Sequence, residues 1–544
     1  MSDGAERSNA ARIGNDEMNR DEMLERATGR TEPWDIVVVG GGATGVGVAV
    51  DAASRGYDVI LLEQHDFGKG TSSRSTKLVH GGVRYLEQGN ISLVMEALKE
   101  RGLLRQNAPH LVHDLAFIVP SYTWWESPFY GLGLKVYNML SGRYKFGPTS
   151  RLSRDEILER LPNIKTEGLK GGVVYYDGQF DDSRLLINLV TTSAERGGTL
   201  LNYVEVTGLH RDEDGFVSGV KAFDCESGRE FDVRGRAVIN ATGAFCDRVR
   251  KMADPNAVGL IAPSQGIHLV FDRSFLPGDS AIMVPHTPDG RVMFAIPWHN
   301  HALVGTTDVP LKDTPIEPKA TDEEIEFILE TAGRYLERRP TRDDILSVFA
   351  GIRPLVRAGN GKNTAALSRD HTIHIDSSGL LTIAGGKWTT YRNMAEDCVD
   401  HAITLGELEE RPCVTRTLAV HGSDEGPTNR ASKENRGHLS FYGSDADAIL
   451  KLTHASPQLA SQLHPALPYI AAEVVWGVRN EMARTVEDIL ARRTRALFLN
   501  AKAAIEMSIP VAKLMAEELG ADESWQQNQI ESFKAVAQGF LAAR

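Results

Sequence analysis

The chain has 544 residues, and 60 Lys and Arg against 73 Asp and Glu give it a formal net charge of −13 at pH 7. This length predicts three or four domain-sized units, or fewer if one of them is a large α/β enzyme. A hydrophobic share of 42% and a charged share of 24% are typical of a globular protein with a sizeable core. The acidic balance argues against nucleic acid as a partner, because a nucleic-acid binder needs a basic surface.

The cysteines and the apolar runs exclude two further classes of protein. Cys225, Cys246, Cys398 and Cys413 form no CxxC pair and are too sparse for a disulfide framework or a zinc site, which predicts a reducing cytoplasm and no metal. The longest suspicious apolar run, residues 36–50, is rich in glycine and shorter than the ~20 residues that a membrane span needs. Residues 1–33 lack the apolar core of a signal peptide and predict a disordered leader, with a transient helix around 16–26.

In chain order, three α/β sections precede a helical region. The first is a βαβ unit with strands at 35–39 and 58–62, a glycine turn at 40–45 and a helix at 46–55. The second has a helix at 181–196 and strands at 199–206 and 236–240, and the third has a strand at 380–384 and a helix at 389–403. Thr321 and Glu324 predict a capping box for a helix at 321–336. Beyond about residue 405 we predict helices, among them 445–453, 470–480 and 485–499.

The βαβ unit carries a dinucleotide-binding pattern. Gly40 permits a tight turn, Gly42 lets the backbone approach a pyrophosphate, and Gly45 lets helix and strand pack closely. The helix N-terminus then presents N–H donors to the phosphates. Glu63 ends the second strand, where it accepts from a ribose hydroxyl and repels a 2′-phosphate, so NADP is disfavoured. The alternative is a glycine turn that binds no nucleotide.

Three further segments favour FAD over NAD, although each alone is also compatible with a packing turn. Residues 71–82 are rich in hydroxyls and glycines, residues 240–243 form a turn between a strand and a helix, and residues 385–390 place another helix N-terminus near the site. Such a dipole stabilises the negative charge of a reduced flavin. The predicted cofactor-binding residues in these segments are Thr71, Ser72, Ser73, Lys77, His80, Gly81, Gly82, Ala241, Thr242, Gly243, Gly385, Gly386, Lys387, Thr389 and Thr390.

Together the runs GGGATGVGVAVDAASRGYDVILLE, TSSRSTKLVHGGVRYLE, NATGAF, GTTDV, GIRPL and GGKWTTYRNMAE resemble the FAD-dependent, quinone-linked glycerol-3-phosphate dehydrogenases. The resemblance extends from residue 34 to the C-terminus and leaves the leader 1–33 unexplained. It implies a mixed α/β fold with a Rossmann-like FAD-binding domain built from segments 34–90, 181–255 and 352–404. A β-rich substrate domain, 91–180 and 256–351, is interleaved with it, and an all-helical domain follows at 405–544.

Four cations lie in apolar or glycine-rich segments and are candidates for a phosphate site. They are Arg84, Arg353, Arg369 and Lys387, and the alternative for each is a structural ion pair, most of all for Arg369 beside Asp370. Guanidinium groups bind phosphate bidentately and stay charged. The resemblance implies that Arg84, Tyr85, Arg369 and Lys387 bind substrate and that Arg353 stabilises a developing alkoxide.

Oxidation of an alcohol also needs a base for the hydroxyl proton. The resemblance implies His268 for this role, against the alternative of a core histidine satisfied by one hydrogen bond. His80 is a candidate flavin-loop contact. The other histidines show no metal-ligand spacing, and the absence of a GxSxG motif argues against a hydrolase.

The expected reaction is oxidation of sn-glycerol 3-phosphate to dihydroxyacetone phosphate, with hydride transfer to flavin N5 and electrons passed to a membrane quinone. Three alternatives stay open: a glycerol-3-phosphate oxidase that uses oxygen, oxidation of another hydroxy acid such as 2-hydroxyglutarate, and a redox-inactive binding module on the same fold. The resemblance also implies peripheral attachment to the inner face of the cell membrane, and a homodimer is a further expectation.

Two segments are candidates for membrane contact. Residues 115–146 concentrate aromatic side chains and a few cations, which suits a bilayer interface but also an aromatic domain core. Arg484, Arg492, Arg493 and Arg495 near the C-terminus are compatible with a basic face, but we predict a solvated helix face on which they pair with Glu487 and Asp488.

Overall fold

The structure is a computed structural model that describes residues 16–83, 86, 89–124, 126–285, 287, 290–357, 371–423 and 436–542. The described strands are β1 Trp34–Val39, β2 Val59–Leu62, β3 Leu78–Val79, β4 Val112–Ser121, β5 Ser150–Leu152, β6 Gly171–Phe180, β7 Thr199–Leu201, β8 Val204–Arg211, β9 Val217–Asp224, β10 Arg229–Asn240, β11 Ile261–Asp272, β12 Ser280–Val284, β13 Met293–Trp298, β14 His301–Gly305, β15 Val309–Pro310, β16 Ile345–Val356, β17 His371–Ile375, β18 Leu381–Gly385, β19 Gln462–His464 and β20 Leu467–Ile470. The described α-helices are α1 Arg20–Gly29, α2 Ala43–Ser54, α3 Ile91–Asn107, α4 Glu126–Leu140, α5 Arg154–Arg160, α6 Asp182–Glu195, α7 Cys246–Ala253, α8 Asp322–Tyr335, α9 Tyr391–Leu405, α10 Ala446–Ala455, α11 Ala471–Asn480, α12 Ala496–Leu499, α13 Ala501–Leu519 and α14 Glu523–Ala537.

The first sheet carries the predicted βαβ unit at its centre. Its strand order is β17-β18-β10-β1-β2-β7, and β9 and β8 extend it beside β10. β1 pairs in parallel with both β10 and β2. β1, β2 and the last four residues of β10 are almost entirely buried, as their largely apolar sequence predicts. Helices α2 and α9 pack closely, because a Cβ on Gly47 would lie only 2.9 Å from the ring of Tyr391. The predicted mixed α/β fold with a Rossmann-like domain is confirmed.

The second sheet supplies the other wall of the site. Its order is β15-β11-β14-β13-β12-β4-β6-β3, with β16 paired to β11 and β5 to β6. Alternate residues of β11 face opposite sides: Ile267 and Leu269 belong to a core that includes α8, whereas His268 points to the other side and stacks on Phe349. The proposed segment boundaries differ from the sheets in two places. β3 lies in the segment 34–90 but pairs with β6 of this second sheet, and the end of β16 lies in the segment 352–404 but pairs with β11.

The leader is wrongly predicted as disordered from residue 16 onward. Helix α1 begins after Asn19, and the Asn19 side chain caps the helix. Met23 and Ala27 of α1 are buried in the core that includes the central strands of the first sheet. Arg20 pairs with Asp224 at 2.5 Å, and both side chains are almost fully buried. The local sequence is polar, so the helix is held by these tertiary contacts, which the composition of the segment does not reveal. The first fifteen residues lie outside the described ranges.

The C-terminal domain is helical, as predicted, but it also contains a short β-hairpin. Strands β19 and β20 pair in an antiparallel manner before α11 begins. Pro465 and Pro468 lie in this stretch, and proline removes the backbone donor that a helix would need. The prediction of an all-helical domain is wrong in this detail.

The prediction of a solvated arginine face is wrong for three of its four residues. Arg492, Arg493 and Arg495 are 2%, 1% and 1% exposed. The predicted helix 485–499 is interrupted by a widened turn at 488–493 and by a left-handed residue at Arg495. Because of this break, the three guanidinium groups lie buried against residues N-terminal to this domain. Asp66 and Asp182 neutralise their charges there. Arg484 alone keeps a half-exposed ion pair, with Glu226.

Candidate active site

The turn between β1 and α2 forms the floor of the site. Gly40 has a φ of +109°, and a Cβ there would lie 2.8 Å from the carbonyl oxygen of Ala241. A Cβ on Gly45 would lie 1.9 Å from the carbonyl oxygen of Gly40, so this helix can pack on the turn only with glycine at that position. The N–H of Ala43, in the first turn of α2, donates to Ser72 Oγ at 2.8 Å.

Glu63 lies at the end of β2, beside this turn. Its carboxylate accepts from the N–H groups of Gly41 at 2.6 Å and His65 at 2.9 Å. Burial raises the pKa of Glu63, and the two backbone donors oppose that rise only in part. The predicted hydrogen bond from a ribose hydroxyl to Glu63 stays a prediction, but the position of Glu63 beside the glycine turn is the one that this role requires.

A substitution in the glycine turn tests the predicted cofactor site. We expect Gly45→Ala to abolish flavin binding, because the new methyl group overlaps backbone atoms that cannot move without displacing α2 from β1. The measurement is the ratio of flavin to protein absorbance after purification. Gly29→Ala is the matched control, since no atom lies within 4 Å of a Cβ at Gly29 and its flavin content should equal that of the wild type. A yellow Gly45→Ala protein with a full flavin complement would contradict this account of the turn.

Two connected cavities extend from this floor. The first chamber, of about 270 Å³, runs from the β1–α2 turn past Glu63 to the turn after β10. The second chamber, of about 330 Å³, lies between the first and second sheets and is walled by β11, β13 and β16. These volumes are near the lower end of the ~300–1,000 Å³ that ligand pockets span. The chambers share Thr71, Pro354, Gly385, Gly386, Lys387 and Trp388.

The shared wall is held by contacts between the two segments that the sequence singled out. Gly385 and Gly386 both have left-handed φ angles, and a Cβ on Gly386 would lie 2.3 Å from Met394 Sδ. Trp388 Nε1 donates to the carbonyl oxygen of Ser72 at 2.9 Å, and the N–H of His80 donates to Thr389 Oγ1 at 3.2 Å. The segment 385–390 and the loop 71–82 therefore form one wall, although more than 300 residues separate them.

His268 lines the second chamber and is only 2% exposed. Its Nε2 lies 2.9 Å from Thr76 Oγ1, its ring stacks on Phe349 at a centroid distance of 4.9 Å, and its Nδ1 has no hydrogen-bond partner in the described part of the chain. Burial holds the pKa of His268 well below its usual range, and the positive charges of Lys77 and Arg353 lower it further. The imidazole is therefore neutral at pH 7, the form that accepts a proton.

Arg353 lines the second chamber on β16, next to β11. Its guanidinium donates to Thr306 Oγ1 at 3.1 Å and to the carbonyl oxygen of Thr307 at 3.0 Å, and it lies 3.3 Å from a carboxylate oxygen of Asp308. A Cβ on Gly266 would lie 2.4 Å from Arg353 Nη2, so the guanidinium rests directly on the β11 backbone. These contacts fix its position while a quarter of the side chain stays exposed.

The structure brings most of the predicted residues together around the two chambers. Those that line a chamber are Gly40, Gly42, Glu63, Thr71, Ser72, His80, Gly82, Ala241, Thr242, Gly243, His268, Arg353, Gly385, Gly386, Lys387 and Thr389. Arg84, Tyr85 and Arg369 lie outside the described residues.

The remaining predicted residues support the wall from behind. Gly45 packs on the β1–α2 turn, Thr390 is buried at the start of α9, and Gly81 donates its N–H to the hydroxyl of Tyr137. Ser73 and Lys77 differ most from expectation. Lys77 is fully buried, paired with Asp182 at 2.6 Å and bonded to the carbonyl oxygen of Ser73, so neither residue lines a chamber.

Several lining residues were not among the predicted ones. Thr306 and Asp308, which hold Arg353, belong to the motif GTTDV, which contributes to the family resemblance but predicts no role for its side chains. Arg291 adds a further cation to the second chamber, and Phe294 an aromatic face. Thr76 lies within the predicted flavin loop 71–82, between Ser75 and Lys77, and only the fold shows that it meets His268.

Comparisons with known proteins agree with this geometry. The family profile described as "FAD dependent oxidoreductase" matches residues 35–392, and the profile described as "C-terminal domain of alpha-glycerophosphate oxidase" matches residues 382–526. The chain is 41% identical over 525 residues to the "Probable glycerol-3-phosphate dehydrogenase, mitochondrial" of Caenorhabditis elegans, covering 92% of this chain and 72% of the relative. It is also 41% identical to the human mitochondrial glycerol-3-phosphate dehydrogenase, covering 92% of this chain and 73% of that protein.

Solved structures give the same result. The glycerol-3-phosphate dehydrogenase of Bacillus halodurans, in complex with FAD, is 30% identical to this chain with a TM-score of 0.79, and the match covers 96% of this chain and 97% of that one. The L-alpha-glycerophosphate oxidase of Mycoplasma pneumoniae, with FAD bound, shares the fold with a TM-score of 0.54 at 18% identity, over 71% of this chain and 98% of that one.

Proposed function

The chain belongs to the FAD-dependent oxidoreductase family, and on this premise we propose that it oxidises sn-glycerol 3-phosphate to dihydroxyacetone phosphate. Family membership confirms the prediction of FAD as the cofactor. The observation that carries the proposed substrate is the second chamber, which is lined by both a neutral buried histidine, His268, and an arginine held on three sides, Arg353. Relatives of this similarity that carry the name glycerol-3-phosphate dehydrogenase support the same substrate.

The two chambers fit FAD. The glycine turn leaves no space for side chains between β1, Glu63 and the turn after β10, so the backbone itself would face the pyrophosphate. We assign the turn, Glu63 and residues 241–243 to the dinucleotide half, and the wall of Thr71, Gly385, Gly386 and Trp388 to the flavin half. When bound, FAD accepts the hydride that leaves the carbinol carbon of the substrate.

The chain's own residues perform the rest of the reaction. His268 takes the hydroxyl proton, which its neutral imidazole can accept at pH 7. Arg353 stabilises the alkoxide that develops as the proton leaves, from a position fixed by Thr306 and Thr307. Lys387 lies on the wall common to both chambers, and we assign it to the substrate, with Arg84, Tyr85 and Arg369 as its predicted partners.

Anaerobic mixing tests the proposed substrate. Purified enzyme with bound FAD should lose its oxidised flavin absorbance when glycerol 3-phosphate is added, and dihydroxyacetone phosphate should form in equal amount. No bleaching would refute the substrate, and bleaching by 2-hydroxyglutarate instead would support a hydroxy-acid dehydrogenase. A purified protein that carries no flavin even after addition of FAD would support the redox-inactive alternative.

We also propose a membrane quinone as the electron acceptor. The alternative is oxygen, which the C-terminal match to an oxidase domain favours. The two are separated by turnover under air with and without a soluble quinone. A dehydrogenase forms product quickly only with the quinone, whereas an oxidase releases one hydrogen peroxide for each product molecule in its absence.

We propose peripheral attachment to the inner face of the cell membrane, and helix α4 offers a surface suited to contact with a bilayer. Phe129, Leu132 and Met139 are 57%, 69% and 66% exposed and recur at helical spacing on one side of α4, and Trp124 before it is 84% exposed. Aromatic and long apolar side chains at this spacing suit the headgroup region of a bilayer. In the described ranges no helix is long and apolar enough to cross a membrane. A homodimer stays a prediction.

The buried side of α4 contacts the loop 71–82, which we assign to the flavin. This contact supports a role for the exposed side of α4 near the electron acceptor. Tyr137 accepts from the N–H of Gly81 and donates to Asp177, both at 2.7 Å. Asp177 lines the second chamber and pairs with the buried Arg101. The two faces of one helix thus contact solvent and the loop beside the site.

Two glutamate substitutions on α4 test the proposed attachment to the membrane. We expect Leu132→Glu with Met139→Glu to lower the membrane-bound fraction at least tenfold, since each substitution replaces about 1.5–3 kcal/mol of apolar transfer with a charge. The measurement is co-sedimentation with liposomes of mixed zwitterionic and anionic phospholipids, and the flavin content reports correct folding. Val258→Glu, at an 81% exposed apolar residue outside α4, is the control and should sediment like the wild type. Equal sedimentation of all three proteins would rule out α4 as the membrane surface.

A further inference from the structure

The loop 64–76, which follows β2, lies between the two chambers and the C-terminal domain. Gly70, Thr71 and Ser72 of this loop line the first chamber, and Thr71 also lines the second. The structure describes the whole loop, and within it only Thr71–Ser73 form a short 3₁₀ turn. The shape of the loop beside the cofactor site therefore depends on its contacts with neighbouring segments.

A short segment of the C-terminal domain, residues 487–495, supplies several of these contacts. It bonds to the loop 64–76 at three points that are three or four residues apart. The bonded pairs are Asp66 with Arg492 and Arg493, Lys69 with both carboxylate oxygens of Glu487 at 2.7 Å, and the carbonyl oxygen of Ser73 with Arg495 at 3.0 Å. The loop residues that face the chambers thus alternate with residues that hold the C-terminal domain.

The backbone of segment 487–495 is unusual in two respects. Asp488–Arg493 form a widened turn, and Arg495 has a left-handed φ of +65°. Widened turns occur often at functional sites, and a left-handed residue with a side chain persists only where its surroundings hold it. At Arg495 the surroundings include the loop itself, through the hydrogen bond to Ser73. The unusual backbone therefore directs this side chain at the cofactor loop.

The pair of Glu487 and Lys69 is the contact nearest to the cofactor site, because Lys69 itself lines the first chamber. The side chains of Lys69 and Glu487 are 13% and 15% exposed. Burial opposes ionisation of Glu487, but the charges of Arg492 and Lys69 lower its pKa to about 2, so that the carboxylate is charged at neutral pH. A carboxylate oxygen of Glu317 lies 3.0 Å from Lys69 Nζ on another side. The ammonium group is thus fixed between two carboxylates.

We propose that segment 487–495 positions the loop 64–76 around FAD, with Glu487 as a positioning residue that acts through Lys69, so that the C-terminal domain helps to retain the cofactor. This inference deepens the proposed function at the cofactor site. It rests on FAD as the cofactor and does not depend on the substrate. Because coupling between two sites is reciprocal, bound FAD in turn stabilises segment 487–495.

A substitution at Glu487 tests the positioning role. We expect Glu487→Gln to release FAD roughly tenfold faster than the wild type, since it removes a charged acceptor from the loop. The measurement is the rise of flavin fluorescence after dilution of the FAD-loaded protein. Glu518→Gln is the matched control: it makes the same change in the same domain, at an 18% exposed carboxylate that pairs with Arg479 instead of the loop. It should release FAD at the rate of the wild type.

Repeating the substitution in a Lys69→Met background separates positioning from a general loss of stability. If Glu487 acts through Lys69, Glu487→Gln should change FAD release less than about threefold in that background. An undiminished tenfold effect there would show that Glu487 acts through Arg492 and the overall fold, and would overturn the positioning role. Release of FAD from Glu487→Gln at the wild-type rate would also overturn it.

Hydrogen exchange of the unsubstituted protein tests the reciprocal effect and decides the matter if a variant retains no FAD. Removal of FAD should speed amide exchange in segment 487–495, whereas α8, which lines neither chamber, should exchange as before. Equal exchange of segment 487–495 with and without FAD would contradict the coupling. None of these measurements uses glycerol 3-phosphate, so a wild type that binds FAD but is not bleached by this substrate refutes the proposed substrate alone.

Discussion

Replacing Arg353 by alanine is expected to slow flavin reduction by glycerol 3-phosphate by roughly 10²–10³-fold, the usual cost of removing a donor that stabilises a developing oxyanion. The guanidinium lies in the second chamber at a position fixed by Thr306, Thr307 and Asp308. Its loss also leaves the carboxylate of Asp308 without its cationic partner beside the proposed site of an anionic substrate. We therefore expect a weaker substrate affinity as well as a lower limiting rate.

The measurement is the rate of anaerobic flavin bleaching as a function of substrate concentration. Arg357→Ala is the matched control, because Arg357 continues from the same strand but is exposed and lines neither chamber. Its guanidinium donates to the carbonyl oxygen of Ile261, and its removal should change the rate less than about threefold. An Arg353→Ala enzyme that reacts as fast as Arg357→Ala would remove Arg353 from the mechanism.

The second large effect concerns stability. Asp66→Asn is expected to lower the free energy of unfolding by about 3–5 kcal/mol, because it removes the buried negative charge that Arg492 and Arg493 share. Asp66 is fully buried and accepts from Arg493 at 2.7 and 3.0 Å and also from Arg492. Burial alone would raise the pKa of Asp66, but the charges of these two arginines hold it below its usual value. The carboxylate therefore stabilises the fold above pH ~4 and loses this contribution as the pH falls further.

Urea-induced unfolding at a fixed FAD concentration measures this effect. Asp58→Asn is the matched control, since it makes the same chemical change in an ion pair with Arg30 whose carboxylate is 61% exposed. Exposed pairs of this kind contribute about 0–1 kcal/mol. If both variants unfold at the same urea concentration, the charges of the buried arginines do not depend on Asp66 for their neutralisation.

The same arginines show where the sequence was insufficient. The pattern around 484–499 offers acids within the same segment, and two of them, Glu487 and Asp488, do pair with Arg492. The partner that decides burial, Asp66, lies more than 400 residues away, and no local pattern reports it. Helix α1 was misjudged for the same reason, since its anchor Arg20 meets Asp224 on β9.

The local signals were reliable where neighbours in the chain determine the structure. The β1–α2 turn depends on glycines within six residues of one another, and the capping box of Thr321 and Glu324 spans four residues. The second chamber, in contrast, depends on the register between β11 and β16, which places Ser264 opposite Arg353 and His268 opposite Phe349. The motifs could suggest that His268 and Arg353 share a site, but not that Thr76 and Asp308 hold them.

The most direct test of the central claim is anaerobic flavin bleaching by glycerol 3-phosphate with hydrogen or deuterium at the central carbon. The account predicts complete bleaching by one equivalent of substrate, formation of dihydroxyacetone phosphate, and a slower reaction with the deuterated substrate, because the bond to that carbon breaks as the flavin is reduced. Bleaching at the same rate with both substrates would indicate that a step other than hydride transfer limits reduction. An absence of bleaching with either substrate, in a protein that carries its full complement of FAD, would contradict the account.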